Sequence, residues 1–283
     1  MFKHIRMFCL GLIALLSLNS CADGIGEEKT VQVPPTVSAS GSVTHHYVLT
    51  NPVIFNGALI RSFITLDDQW QPLEIGYELQ SAFYQNLPNP NSAPENTEIL
   101  IPLPNVPYPG IQQDQNQIFD HMTFHWYPDG TDPQGIFSFP KFDFHIYTIS
   151  LAARYAIGAN DPQQFITPDP EYIPDYYYGP VGNLAQMGSH WVDLLSPEFN
   201  GGQFTKTFIY GSYNGVVNFE EMSITRDYFA SSSSLNDIIP IRQPALYQRD
   251  GYYPLNYHIY KSGRTVRVYL SDFVFRQASA PTY

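Results

Sequence analysis

In Lys141-Phe142-Asp143-Phe144-His145-Ile146-Tyr147 the side chains alternate, residue by residue, between polar and apolar. A period of two belongs to a β-strand, whose successive side chains leave opposite faces. One face of this strand carries Lys141, Asp143, His145 and Tyr147, and the other carries Phe142, Phe144 and Ile146. So complete an apolar face has to pack against something, which commits the chain to a sheet. The polar face admits two readings: an ordinary solvated surface, or the wall of a site lined by ionisable groups. A second run shows the same alternation, with His121, Thr123 and His125 opposite Met122, Phe124 and Trp126.

The rest of the chain extends the pattern. Strand-like runs separated by turns occur at Thr44–Leu49, Ala58–Thr65, Leu73–Glu78, Glu98–Leu103, Phe204–Tyr210, Gly215–Ile224, Asn256–Lys261 and Val266–Phe275. Twenty-one tyrosines and nineteen phenylalanines favour strands, and 24 prolines punctuate them, which excludes a coiled coil or a helical repeat. The expectation is a mainly β single domain over residues 43–279, barrel-like or a sandwich, with one or two short helices at Glu78–Gln85 and Ser150–Ile157. Asp161 to Pro180 reads as an irregular Pro/Tyr loop, and Ser231–Ser234 as a polar linker within the domain. His125-Trp126 ahead of Phe144–Tyr147 is echoed by His190-Trp191 ahead of Thr207–Tyr210, as duplicated strand pairs would be.

The N-terminus supplies an address. Lys3, His4 and Arg6 precede an apolar stretch from Met7 to Leu18, too short for an ordinary spanning helix and typical of an export signal. It ends in Leu18-Asn19-Ser20-Cys21, which resembles the lipobox of bacterial lipoproteins. Residues 1–20 are therefore expected to be a signal peptide, Cys21 the lipidated first residue of the mature chain, and 21–42 a flexible tether. The expected location is the bacterial cell envelope, on the extracytoplasmic side of a membrane. Removing Lys3 and Arg6 takes the formal charge from -12 to -14. A chain this acidic lacks the basic face that nucleic acid requires. Cys9 leaves with the signal and Cys21 carries lipid, so neither is free for a disulfide or a thiolate metal site.

No Gly-x-Ser-x-Gly elbow, His-Glu-x-x-His helix, phosphate-cradling glycine loop or EF-hand loop occurs. The histidines stand out instead: outside the signal and the His45-His46 pair they are His121, His125, His145, His190 and His258. A transition-metal site assembled from separate strands would use His145, His190, Glu220 and one of His121 and His125. On a regular strand the latter two stand about 13 Å apart and cannot share an ion. Imidazole with a carboxylate suits zinc, with copper, iron or manganese as alternatives. Met122, Met187 and Met222 lie close to these residues but read as core fillers rather than copper ligands. The competing reading makes the histidines hydrogen-bonded groups of the fold. Lys141 opposes a metal, so its amine should turn away or pair with Asp143 or Glu220.

Three groups of residues then resemble a known family. These are Phe119-Asp120-His121-Met122 with Trp126-x-Pro128-x-Gly130-x-x-Pro133; Pro140-x-Phe142 to Tyr147; and Met187-Gly188-x-His190-Trp191, Tyr210-Gly211-Ser212-Tyr213-x-Gly215 and Phe219-Glu220-x-Met222. Their order and spacing, from about Gly57 to Arg276, are similar to a bacterial family of secreted and lipoprotein β-domains of unknown function, typified by a Thermus protein. The resemblance implies a histidine cluster plus glutamate on His121, His145, His190 and Glu220. Where the family pattern carries histidines, this chain has Thr131 and Lys141. If those are ligands in relatives, His125 is a substitute here or the site is lost.

The expected function is divalent-metal, Lewis-acid chemistry of hydrolase or lyase type on a small substrate. His121, His145 and His190 would be ligands, Glu220 a ligand or general base, and Asp143 a support behind a ligand. Tyr147 or Lys141 would polarise the substrate. The alternative is a non-enzymatic envelope binding or assembly protein that meets its partner through the Tyr-rich loop and the acidic surface.

Overall fold

Strands dominate, at 48% against 11% helix, because period-two segments recur along the whole domain. The computed structural model describes residues 31–32, 45–85, 87, 97–104 and 118–281. The signal peptide, Cys21 and most of the expected tether lie outside the described residues.

In chain order the elements begin with β1 (Val31–Gln32), β2 (His46–Leu49), β3 (Val53–Phe55), β4 (Ala58–Leu66), β5 (Pro72–Gln80) and α1 (Ala82–Gln85). Next come β6 (Thr97–Pro102), β7 (His121–Tyr127), β8 (Lys141–Tyr147) and α2 (Leu151–Tyr155). After short 3-10 helices at Pro162–Phe165 and Pro170–Tyr172 follow β9 (Tyr177–Leu184) and β10 (Gly188–Asp193). A 3-10 helix at Pro197–Phe199 leads to β11 (Lys206–Tyr213), β12 (Val216–Thr225), α3 (Arg226–Ala230) and β13 (Leu235–Pro240). The last strands are β14 (Gly251–Tyr253), β15 (Asn256–Ser262), β16 (Thr265–Ser271) and β17 (Val274–Arg276).

Two large antiparallel sheets result, with β14-β17 a separate two-stranded pair. One runs β1-β2-β4-β5-β16-β15-β13 with β3 on β4, the other β6-β7-β8-β12-β11-β10-β9. Neither closes on itself, so the architecture is a sandwich rather than a barrel. The shared core draws Ile64, Ile75, Val268 and Leu270 from the first sheet and Phe124, Phe142, Phe144, Ile146, Met222 and Ile224 from the second. Tyr77 crosses this core from β5. Its ring packs edge-on at 5.1 Å against Phe144, and its hydroxyl donates to the carbonyls of Thr123 (3.0 Å) and His145 (2.5 Å).

Several sequence expectations shift. Helix was expected from Glu78, but β5 continues to Gln80, because Glu78 is paired with Arg61 on β4 and Arg267 on β16; only Ala82–Gln85 is helical. The Pro/Tyr loop is ordered by its own side chains. Asp161 and Asp169 cap its two 3-10 helices by accepting from the amides of Gln163 and Glu171, and β9 starts at Tyr177. The two copies of the His-Trp echo form β7-β8 and β10-β11, antiparallel pairs on either side of β12. Within the segment read as a tether, Val31–Gln32 pair with β2.

Glu78 also gives the fold an acid-sensitive element. Burial raises its carboxyl, but hydrogen bonds from Arg61 and Arg267 outweigh that and hold it below its ordinary value of 4.5. A depressed carboxyl stabilises the fold above the unfolded value, and that share is lost as pH falls through the folded value, here below 4.5. Glu78→Gln is expected to cost about 1–3 kcal/mol at neutral pH and to flatten the acid limb of the stability curve. Urea unfolding of both proteins from pH 7 downward reads this directly; parallel curves would refute it.

Candidate metal centre

The polar face of β8 turns away from the sandwich core, yet it is not a solvated surface. Lys141, Asp143, His145 and Tyr147 are all buried, as are His121, Thr123, His125 and Tyr127 beside them on β7. The chain after β8 folds back over this face: Arg154 of α2 lies 4.6 Å above the Tyr147 ring, and its Nε donates to the Gln186 carbonyl. Ionisable groups are thus enclosed between the outer face of the second sheet and a layer of loops.

Register decides which groups meet. β12 pairs with β8 so that Glu221 lies opposite His145, Ser223 opposite Asp143 and Phe219 opposite Tyr147. His190 reaches the same face from β10, opposite Gly211 of β11. Gly211 is required there, because a Cβ would sit 1.9 Å from the Phe219 ring. That ring packs at 5.1 Å against both His145 and His190. His145, His190 and Glu221 each bring a ligand atom to within 4.8 Å of the other two. His145 Nε2 is 3.2 Å and His190 Nε2 3.7 Å from Glu221 Oε2.

These residues fit a metal ion. Tetrahedral zinc with bonds of about 2.0–2.2 Å sets its ligand atoms about 3.4 Å apart, which the two measured separations bracket. His145 and Glu221 are each 1% exposed, and neither His145 nitrogen nor Glu221 Oε2 has a hydrogen-bond partner among the described residues. Polar atoms left that way cost about 1–3 kcal/mol each, and a cation would satisfy His145 Nε2 and Glu221 Oε2 together. Burial holds the His145 imidazole well below its ordinary value, against the pull of Asp143, so it is neutral and its lone pair available. His190 Nδ1 stands 3.1 Å from the Gly182 carbonyl. A carbonyl only accepts, so the proton is on Nδ1 and Nε2 is left to bind. Two imidazoles and a carboxylate leave a fourth position of a tetrahedral ion open.

The carboxylate of the cluster is Glu221, not Glu220. Glu220 is in phase with Met222 and Ile224 and points to the opposite face of the sheet, where burial pushes its carboxyl up to about 8. Neither His121 nor His125 belongs to the cluster. His121 stacks on Tyr147 at 4.7 Å and bonds Asp120 at 2.8 Å, while His125 Nε2 bonds Thr123 at 2.9 Å. His125 is nevertheless a neighbour, its ring 4.7 Å from that of His145. Asp143 does not back a ligand: its carboxylate takes Lys141 Nζ at 2.5 Å and Ser223 Oγ at 2.5 Å. Lys141 thus meets one of the alternatives set for it, pairing with Asp143.

The chain has no significant match to any family model, curated protein or solved structure. What this centre does therefore rests on its own geometry. Arg154, which no sequence signal marked, completes the surroundings. It is fully buried, and its guanidinium bonds Glu98 at 2.7 Å, bringing that carboxylate to 3.7 Å from His125 Nε2. Tyr147 lies between Arg154 and His121, its phenol raised by burial. His258 belongs to the other sheet, bonded to Ser271 and stacked on Tyr269.

Proposed function

We propose that this chain is a lipid-anchored, extracytoplasmic β-sandwich protein that binds a divalent transition metal, zinc by preference, through His145, His190 and Glu221. The observation that carries the reading is the pair of buried ligand atoms without hydrogen bonds, His145 Nε2 and Glu221 Oε2, converging with His190. Zinc is favoured because the donor set holds nitrogen and oxygen without thiolate. A bound ion would act as a Lewis acid toward a small substrate, in hydrolysis or elimination. Arg154 and Tyr147 on the same face would meet negative charge on that substrate. His190, with 13% of its side chain exposed, marks the side from which the centre is reached.

Metal analysis of the purified mature protein tests this. One equivalent of zinc or another transition metal is expected, and none after His145→Ala. Metal-free wild type that takes up no added zinc would overturn the reading.

The address rests on the N-terminal sequence: a basic start, a short apolar core and Ser20-Cys21. Among the described residues no helix is long and apolar enough to cross a membrane. Cys21→Ala is expected to release the protein from the membrane fraction or leave it unprocessed. Unchanged fractionation and mass would refute lipidation.

One observation favours binding without catalysis. Tyr176 and Tyr178, at the end of the Pro/Tyr segment, are 63% and 60% exposed, and exposed aromatics of this kind suit a protein contact. Under that reading the metal stabilises the fold, and loaded protein shows no hydrolase or lyase activity.

A further inference from the structure

One corner of the molecule is apolar and almost free of charge. It is built from the turn after α2, the 3-10 helix Pro162–Phe165, the β9–β10 turn and the β11–β12 turn. Hydrogen bonds join these parts. Gln164 Nε2 donates to the Gly158 carbonyl, and the amides of Gln186, Asn214 and Gly215 donate to the carbonyls of Ile157, Gln163 and Ile166. Among the described residues, Phe165 and Ile166 at the end of the 3-10 helix are 63% and 50% exposed, and Tyr155, Leu184 and Val216 are exposed as well. Residues 151–168, 182–188 and 213–217 hold only two charged side chains. Arg154 is fully buried, and Asp161 is engaged by the Tyr213 hydroxyl and the Gln163 amide.

Large apolar side chains gathered in water mark a contact surface. Two observations favour a bilayer as what it meets. Val31 in β1 lies ten residues beyond Cys21, the expected lipid site, a reach of at most about 35 Å. A domain of this size is about 45 Å across, so that tether keeps it against the membrane. The net charge of -12 would be repelled by anionic head groups, which makes an uncharged apolar corner the part suited to enter the interface.

We infer that this corner docks on the bilayer surface, with Phe165 and Ile166 entering among neutral or zwitterionic head groups. The choice of occupant rests on the lipid-anchor reading. The mature chain has no thiol besides Cys21, so a fluorophore on Ile166→Cys is a unique reporter. Ile238→Cys, similarly exposed on edge strand β13 of the other sheet, is the control. Lipidated protein is reconstituted into phosphatidylcholine vesicles that carry a doxyl-lipid quencher. The label at 166 is expected to be quenched at least about threefold more than that at 238. The whole mature chain made without lipid, as Cys21→Ala, is expected to partition onto phosphatidylcholine vesicles at millimolar lipid. Phe165→Asp/Ile166→Asp should lower that partition at least about tenfold. Circular dichroism and the thermal midpoint establish that this double variant is folded. Equal quenching at the two sites, no partition of the unlipidated chain, or undiminished partition of the folded double variant would overturn the assignment. So would a dimer in sedimentation velocity that the double variant dissolves, which would give the corner to a second copy. The unlipidated chain reads the corner alone, and the mass of the exported protein reads the anchor alone, so either can fail without the other.

Discussion

Glu221→Gln is expected to abolish the stabilisation that zinc confers, and Glu220→Gln to leave it intact. The two carboxylates are neighbours in sequence, but only Glu221 faces His145 and His190. An ion that binds only the folded chain stabilises it by about 4 kcal/mol when present at a thousand times its dissociation constant. For a domain of this size that raises the thermal midpoint by about 8–16 °C. Thermal unfolding of wild type, Glu221→Gln, His145→Ala and Glu220→Gln, each with chelator and with zinc, reads the difference. Zinc should shift wild type and Glu220→Gln upward and leave the other two where chelator leaves them. An equal loss in both glutamate variants, or no shift in wild type, would remove Glu221 from its assigned role.

The second large effect concerns the buried pair on the same strand. Lys141 and Asp143 are each 3% exposed and joined directly, with Ser223 bonded to both. Lys141→Met is expected to cost about 3–5 kcal/mol, because it strands a carboxylate away from water. The double variant Lys141→Met/Asp143→Leu should recover most of that loss, since a buried ion pair gains little over apolar groups of similar volume. Denaturant unfolding of the two single variants and the double completes the cycle. A double variant no more stable than Lys141→Met would show that the pair contributes far more than its own neutralisation.

Much of this was legible in the alternation. The two faces of Lys141–Tyr147 and of His121–Trp126 fall as period two requires, and the apolar faces form the core. The same rule, applied one strand further, distinguishes the glutamates. Met222 and Ile224 mark the core face of β12, so Glu220 in phase with them goes inward, while Glu221 in phase with Ser223 and Thr225 joins the polar face. The expected strand-built ligand set named Glu220 without this phase applied to β12, and the family resemblance implies the same residue.

What alternation cannot supply is register between strands. His121 and His125 share the correct face, but pairing places them opposite Tyr147 and Asp143, and Thr123 opposite His145. Local partners, Asp120 and Thr123, then take their ring nitrogens. β9 escaped notice because Gly179, Pro180 and Gly182 break its pattern, and Arg154 because its partners come from Glu98 and Gln186, distant in sequence.

The alternation of β8 has a consequence for how such a protein changes over generations. Phe142, Phe144 and Ile146 serve the core, while Lys141, Asp143, His145 and Tyr147 serve the enclosed polar face, and the two sets share only a backbone. Tyr77 holds that backbone from the far sheet by its hydroxyl at the His145 carbonyl, a contact no side-chain replacement at 145 removes. Replacing odd-numbered residues therefore explores new chemistry on a scaffold kept by the even-numbered ones. Because Lys141 and Asp143 form a buried pair, they have to change together. With that pair kept, a library varied at 145 would retain more folded members than one randomised at 142, 144 and 146, which makes this strand a natural place to look for divergent activities among descendants of the same sandwich.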